Sequence, residues 1–257
     1  MVETQQFLGV PGIDGWLFLG LSIASAFTSF VAVATGTGGG LLLLAIMALV
    51  FAPAVLVPTH TVIMFVAGSH VVFMMWRYTI RSTLFPFFGG SAVGAALGAQ
   101  IFIALPAAIL QGIIGLLILI LTWLPKFAQL GSTKYRFAVV GTVATFIGMF
   151  VSATGTLIAP FVASSSPDRR NHVATMSALM SFSHIVKIIA FGALGVTVGS
   201  YIPLIVSMVA TAMIGNWIGG KTLDRMPERM FRWIFRVLVT ILAIRLLWVA
   251  FSNLETV

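Results

Sequence analysis

Phe30-Val31-Ala32-Val33-Ala34-Thr35-Gly36-Thr37-Gly38-Gly39-Gly40 lies in the middle of an apolar segment, 16–50, that is too long for one crossing of a bilayer. A crossing helix needs about 20 mostly apolar residues. Glycine inside a helix is unfavourable by about 1 kcal/mol, so three in a row beside threonines predict a break. A weaker copy, Phe150-Val151-Ser152-Ala153-Thr154-Gly155-Thr156, interrupts a second apolar segment, 137–163, and is one residue shorter. Phe150 follows Phe30 by 120 positions (150 − 30).

The chain around these stretches has 257 residues, 60% hydrophobic and 8% charged. Soluble domains carry about 25% charged residues, which excludes a water-facing globule. The charges are segregated. None falls between Gly15 and Trp76, Ser82 and Pro125, Phe137 and Pro167, or Ile188 and Gly220, and each of these stretches holds at least one span. A cleavable signal peptide is not expected, because the first residues carry Glu3 and Asp14 and no basic run. The net charge of +8 needs no nucleic acid, since basic residues flanking spans on the cytoplasmic side give this balance. With no cysteine, disulfides, thiolate metal sites and thiol nucleophiles are excluded.

Turn-formers and charges divide the chain into apolar segments 16–50, 58–77, 83–104, 107–124, 137–163, 171–194, 200–220 and 230–251. If all eight crossed, Arg77, Arg81, Lys126, Lys134 and Arg136 would lie on one side. Arg169, Arg170, Lys221, Arg225, Arg229, Arg232 and Arg236 would lie on the other, which is no bias. If 16–50 and 137–163 instead dip in and return, all of these cations fall on one side, the cytoplasm by the positive-inside rule. For 16–50 the charges are silent, and symmetry carries the argument. Thr59–Phe65 can be laid over Thr175–Ser181, Gly94 and Gly98 over Gly215 and Gly219, and Pro106 over Pro227. The expected fold is therefore an all-α polytopic membrane protein of two inverted repeats, 1–126 and 127–257, each a re-entrant, broken-helix hairpin plus three transmembrane helices. Inverted repeats of this kind recur in secondary transporters. The glycine steps are read as close helix packing.

Bare backbone at membrane depth survives only if it is buried in protein or lines a wet cavity, so the two breaks are expected to meet near the midplane. Each opens a short helix whose N-terminus offers free N–H groups and about half a positive charge, which suits an anion. The candidate binding residues are Thr35, Gly36, Thr37, Gly38, Gly39 and Gly40 from the first break, and Thr154, Gly155 and Thr156 from the second. Lys187, inside 171–194, has no carboxylate in reach, because all six Asp and Glu lie at loops or ends. Its partner is then the substrate, unless the chain snorkels to the interface. His70 and His184 sit mid-span and are candidates to donate to an anion. His60 and His172 read as ordinary helix-start residues, Arg245 as snorkelling, and Trp16, Trp123 and Trp248 as interface anchors. Pro53, Pro58 and Pro160 shape the hairpin exits. No ATPase, metal or redox-cofactor motif is present.

The run Ala34–Gly40, the triplet Thr59-His60-Thr61, the pair Arg77-Tyr78 and the degenerate second copy resemble the sulfite exporter TauE/SafE family across essentially the whole chain. The glycine-rich motif of that family maps onto Gly36, Gly38, Gly39 and Gly40. The second copy departs from it, with Leu157-Ile158-Ala159 where the first has three glycines. The resemblance implies export of sulfite or a short organosulfonate such as sulfoacetate, by alternating access, without a cofactor and without enzymatic chemistry. An anion channel or uniporter for another oxyanion or carboxylate is the alternative, with a membrane-embedded enzyme on a sulfur compound behind it. The expected partners are the small anion and the lipid bilayer, with a homodimer as an assembly option and no nucleic acid. The expected location is a bacterial inner membrane with the basic loops cytoplasmic.

Overall fold

The computed structural model describes residues 6–35, 38–123, 133–166, 168–222 and 228–254. Among them there is no strand, and the helices are α1 Gly15–Thr35, α2 Gly39–Met47, α3 Pro53–Met75, α4 Leu84–Ala104, α5 Ala107–Trp123, α6 Thr133–Val151, α7 Gly155–Ala163, α8 Arg169–Ala193, α9 Ile202–Thr222 and α10 Glu228–Leu254. A long helix, a nine-residue helix and three long helices follow one another twice. This is an α-helical polytopic membrane protein. Five stretches are long and apolar enough to cross a bilayer: Gly15–Ala34, Pro53–Tyr78, Arg81–Ala104, Arg169–Ala193 and Gly199–Thr222.

Capping sets several boundaries. Asp14 Oδ1 accepts from the Leu17 N–H at 2.8 Å and starts α1, and Asp168 Oδ1 accepts from the Arg170 N–H at 2.7 Å and starts α8. Helix α3 begins at Pro53 rather than at residue 58, because a proline at the first helical position lacks only an N–H that would be unpaired anyway. Pro58 therefore lies inside α3 and not at its start. The arms of the interrupted segments are also unequal. Helix α1 has 21 residues against nine in α2, so α1 alone spans about 31 Å at 1.5 Å per residue.

The most extensive helix contacts are α4 with α6 and α1 with α9, followed by α3 with α8 and α5 with α10. Helices α1 and α9 run in the same direction: Ser22 Oγ lies 2.8 Å from Ser207 Oγ, Ala26 faces Gly215 and Phe30 faces Gly219. Helices α4 and α6 do the same, with Gly94 against Thr142. A Cβ on Gly215 would stand 2.0 Å from the Ala26 carbonyl oxygen, and one on Gly94 would stand 2.2 Å from that of Thr142. Only glycine permits this approach. Helices α3 and α8 run antiparallel, since Gly68 faces Ser181 while Tyr78 accepts from Arg170 at 3.3 Å.

Arginines mark one end of the bundle. There Arg136 at the start of α6 donates to Ser165 Oγ, just past α7, at 3.0 Å. At the other end Phe51, just before α3, meets Tyr201, just before α9, with ring centroids 5.6 Å apart. Because α1 runs parallel to α9, it starts at this second end too. Each interrupted helix pair thus leaves and returns at one end of the bundle, and the two pairs do so at opposite ends.

Gly94→Ala drives a methyl into the Thr142 carbonyl and is expected to cost about 1–3 kcal/mol. Gly89→Ala, with nothing within 4 Å of the new Cβ, is expected to be neutral. Thermal melts of the two variants in detergent check this, and equal melting would contradict the packing.

Candidate functional site

Both breaks turn on a residue with positive φ. In the first, Gly38 caps α2 at φ 92°, a conformation natural to glycine. Helix α2 then doubles back so closely on α1 that a Cβ on Gly39 would lie 2.1 Å from the Thr28 carbonyl oxygen. In the second, Ser152 follows α6 at φ 54°, where a non-glycine residue is strained by roughly 1–2 kcal/mol.

Side chains hold Ser152 there. Its Oγ lies 3.0 Å from His60 Nδ1 and 2.9 Å from Thr61 Oγ1, and its carbonyl accepts from Lys187 Nζ at 3.0 Å. His60 Nε2 lies 2.9 Å from the Gly40 carbonyl oxygen. That oxygen only accepts, so Nε2 carries the proton and Nδ1 accepts from the Ser152 hydroxyl. His60, on α3, thus ties the start of α2 to the end of α6. All four of His60, Thr61, Ser152 and Lys187 are fully buried.

Lys187 differs from its expected role. Its ammonium donates to the carbonyls of Ser152 and, at 3.5 Å, of Gly148, and the residue does not line the cavity described below. These carbonyls lie at the end of α6, where the helix dipole is negative; Gly148 O also accepts from the Ser152 N–H at 2.9 Å, so the Ser152 carbonyl, just past the helix, is the one that relies on the ammonium. The partner left open by the lack of a carboxylate is the backbone itself. At the other break the Arg169 guanidinium donates to the Ala34 carbonyl near the end of α1. Both broken ends are therefore capped by cations from α8.

A cavity of about 110 Å³ lies between the two breaks. Gly38, Gly39 and Gly40 line it from one side and Ala153, Gly155 and Thr156 from the other, with His184, Ser177, Met64, Met176 and Met180 on α3 and α8. The two tips nearly touch: a Cβ on Gly40 would lie 4.0 Å from that of Ala153. The cavity runs toward the arginine end, past Val71 and Val173. It faces buried polar atoms that have no hydrogen-bond partner among the described residues: the hydroxyl of Thr156 and both ring nitrogens of His184. Such groups cost about 1–3 kcal/mol each when left unpaired, so a polar occupant is favoured.

Of the residues singled out from the sequence, Gly38, Gly39, Gly40, Gly155, Thr156 and His184 come together on this cavity. The Thr154 hydroxyl is buried and unpartnered just behind it, beside Gly148 and Lys187. His70 is half-buried on α3 and is not on the lining. Thr35 ends α1, while Gly36 and Thr37 lie outside the described residues, as do Lys126, Arg225 and Pro227. The sequence reading missed His60, Thr61 and Ser152. One signal was present: Ser152 is the hydroxyl that the second copy has and the first copy lacks.

Residues 21–246 match the family model described as Sulfite exporter TauE/SafE. No curated protein and no solved structure matches the chain.

His60→Ala and Ser152→Ala are each expected to destabilise the protein by about 1–3 kcal/mol, because each orphans buried groups. The double variant is expected to lose less than the sum, since both remove one network. Denaturation midpoints in detergent test this, and strict additivity would contradict the shared bond.

Proposed function

The chain belongs to the sulfite exporter TauE/SafE family, and from that premise we propose that it exports a small sulfur-containing anion, sulfite or a short organosulfonate such as sulfoacetate, by alternating access. The observation that carries this reading is the polarity of the cavity. The N-termini of α2 and α7 open on it, each bringing free N–H groups and about half a positive charge. The Thr156 hydroxyl adds a donor, and His184 adds one or two. No described Asp or Glu lines the cavity. A site rich in donors and free of carboxylates selects anions over cations. Its apolar wall of Met64, Met176 and Met180 suits the carbon or sulfur of an organosulfonate more than a fully hydrated ion.

The two halves act as inverted repeats in this reading. The reciprocal packing supports it: the long arm of each hairpin lies along the fourth helix of the other half, α1 on α9 and α6 on α4. Rocking one half against the other would then alternate access to a site on the pseudo-two-fold axis. The arginine end is cytoplasmic in this reading by the positive-inside rule, and the cavity extends toward it as far as the buried cluster of Val33, Val71 and Val173. Arg169 and its neighbours at that end would raise the local anion concentration. The buried contacts around Ser152 lie on the opposite side and act as the outer gate. This favours a carrier over an open anion channel.

An inside-negative potential drives an anion outward by about 2.3 kcal/mol per charge per 100 mV. The bacterial inner membrane supplies that potential, so ATP is not required. In proteoliposomes with an imposed potential, sulfite or sulfoacetate flux is expected to saturate with concentration and to reverse with the sign of the potential. Conductance that rises without saturation would favour a channel, and no flux of any sulfur anion would overturn the substrate assignment.

A further inference from the structure

Transporters with broken helices commonly place a coupling sodium ion or proton at the carbonyl ends of the breaks, where the backbone oxygens are unpaired and the dipole is negative. In this chain those ends are already taken. Lys187 Nζ sits on the carbonyls of Ser152 and Gly148 at the end of α6, and the Arg169 guanidinium sits on the Ala34 carbonyl at the end of α1. Neither residue lines the cavity, so neither cation is held in place by an occupant there. The described carboxylates do not compete for Lys187: Asp14 and Asp168 cap the starts of α1 and α8.

We infer that Lys187 is a tethered replacement for a mobile coupling cation, and that the site it fills is a latent monovalent-cation site. This rests on the reading of the chain as an anion carrier. The oxygens suit a small hard cation once the ammonium is removed. Ser152 O accepts from Nζ at 3.0 Å, and Gly148 O, which also accepts from the Ser152 N–H, stands 3.5 Å from Nζ. Thr154 Oγ1 is fully buried, has no hydrogen-bond partner among the described residues and stands on the same side of Gly148, 3.5 Å from where a Cβ on Gly148 would be, against 3.4 Å for Nζ. Carbonyl and hydroxyl oxygens suit hard cations rather than soft metals, and an uncharged oxygen set replacing a single positive charge suits a monovalent one. With the positive charge built into α8, the carrier has no place for a sodium ion at this break. Anion movement is then driven by its own gradient and the membrane potential.

The test compares purified protein in sodium chloride and in choline chloride, read by melting temperature and by anion flux in proteoliposomes. Wild type is expected to melt and to transport equally in both salts. Lys187→Ala, which opens the space, is expected to lose about ten-fold or more of its flux in choline, since it leaves the Ser152 carbonyl without its charged donor. It should regain stability and flux in sodium. Lys187→Met, which fills the space without charge, should lose flux and gain nothing from sodium. Sodium-dependent melting or a sodium requirement in wild type would overturn the inference. So would Lys187→Ala that melts identically in both salts. Melting needs no substrate, so a failure of anion transport in wild type would count against the functional reading and leave the cation site separately decided. If Lys187→Ala does not fold in either salt, the wild-type comparison decides.

Discussion

An α-helix that stops inside an apolar bundle leaves carbonyls at one side of the stop and N–H groups at the other, and water is not there to pair them. Two such stops occur here, and the protein treats their two sides differently. The carbonyl sides are closed by its own cations, Lys187 at α6 and Arg169 at α1. The N–H sides, at Gly39 and Gly155, are turned toward one cavity. In the proposed function that division sets the sign of the charge the site prefers. Had the carbonyl sides faced the cavity, the same fold would select a cation.

The two stops are not mechanical equals. The first uses glycine throughout, with Gly38 at positive φ and Gly39 pressed against the α1 backbone. It is held by backbone contact, by the bond from His60 to the Gly40 carbonyl and by that from Arg169 to the Ala34 carbonyl. The second has Ser152 in a strained conformation, fixed by a histidine, a threonine and a lysine. Strain of this kind persists only where the surroundings over-determine it. His60, on α3, bonds both stops.

Much of this was legible in the sequence. A glycine run in one apolar segment and a Thr-Gly-Thr step in another located the two breaks, and the charge asymmetry pointed to chain reversal in the second segment, being silent for the first. Small residues at spacings of four marked the close helix pairs that Gly94 and Gly215 make. The misreadings share a physical cause. Lys187 was left without a protein partner because a sequence displays carboxylates but not frayed carbonyls, and those carbonyls exist only once α6 has stopped at Val151. In the sequence His60 reads as a helix-start residue because Pro58 looks like a helix start, whereas α3 begins at Pro53. With Pro53 as the first residue, His60 falls two turns inside the helix and faces both breaks. The Met64, Met176 and Met180 wall could not be assigned, since methionines on apolar helices are ordinary core until a cavity singles them out.

The central claim is that the two broken helices meet across the site and must separate for transport. The chain has no cysteine, so Gly40→Cys combined with Ala153→Cys is a clean probe. The Cβ positions lie 4.0 Å apart, within the roughly 3.5–4.5 Å that a disulfide spans. The account predicts that oxidation links the pair, that anion flux in proteoliposomes stops, and that reduction restores it while either single variant keeps transporting. A linked protein that transports at the unlinked rate would contradict it.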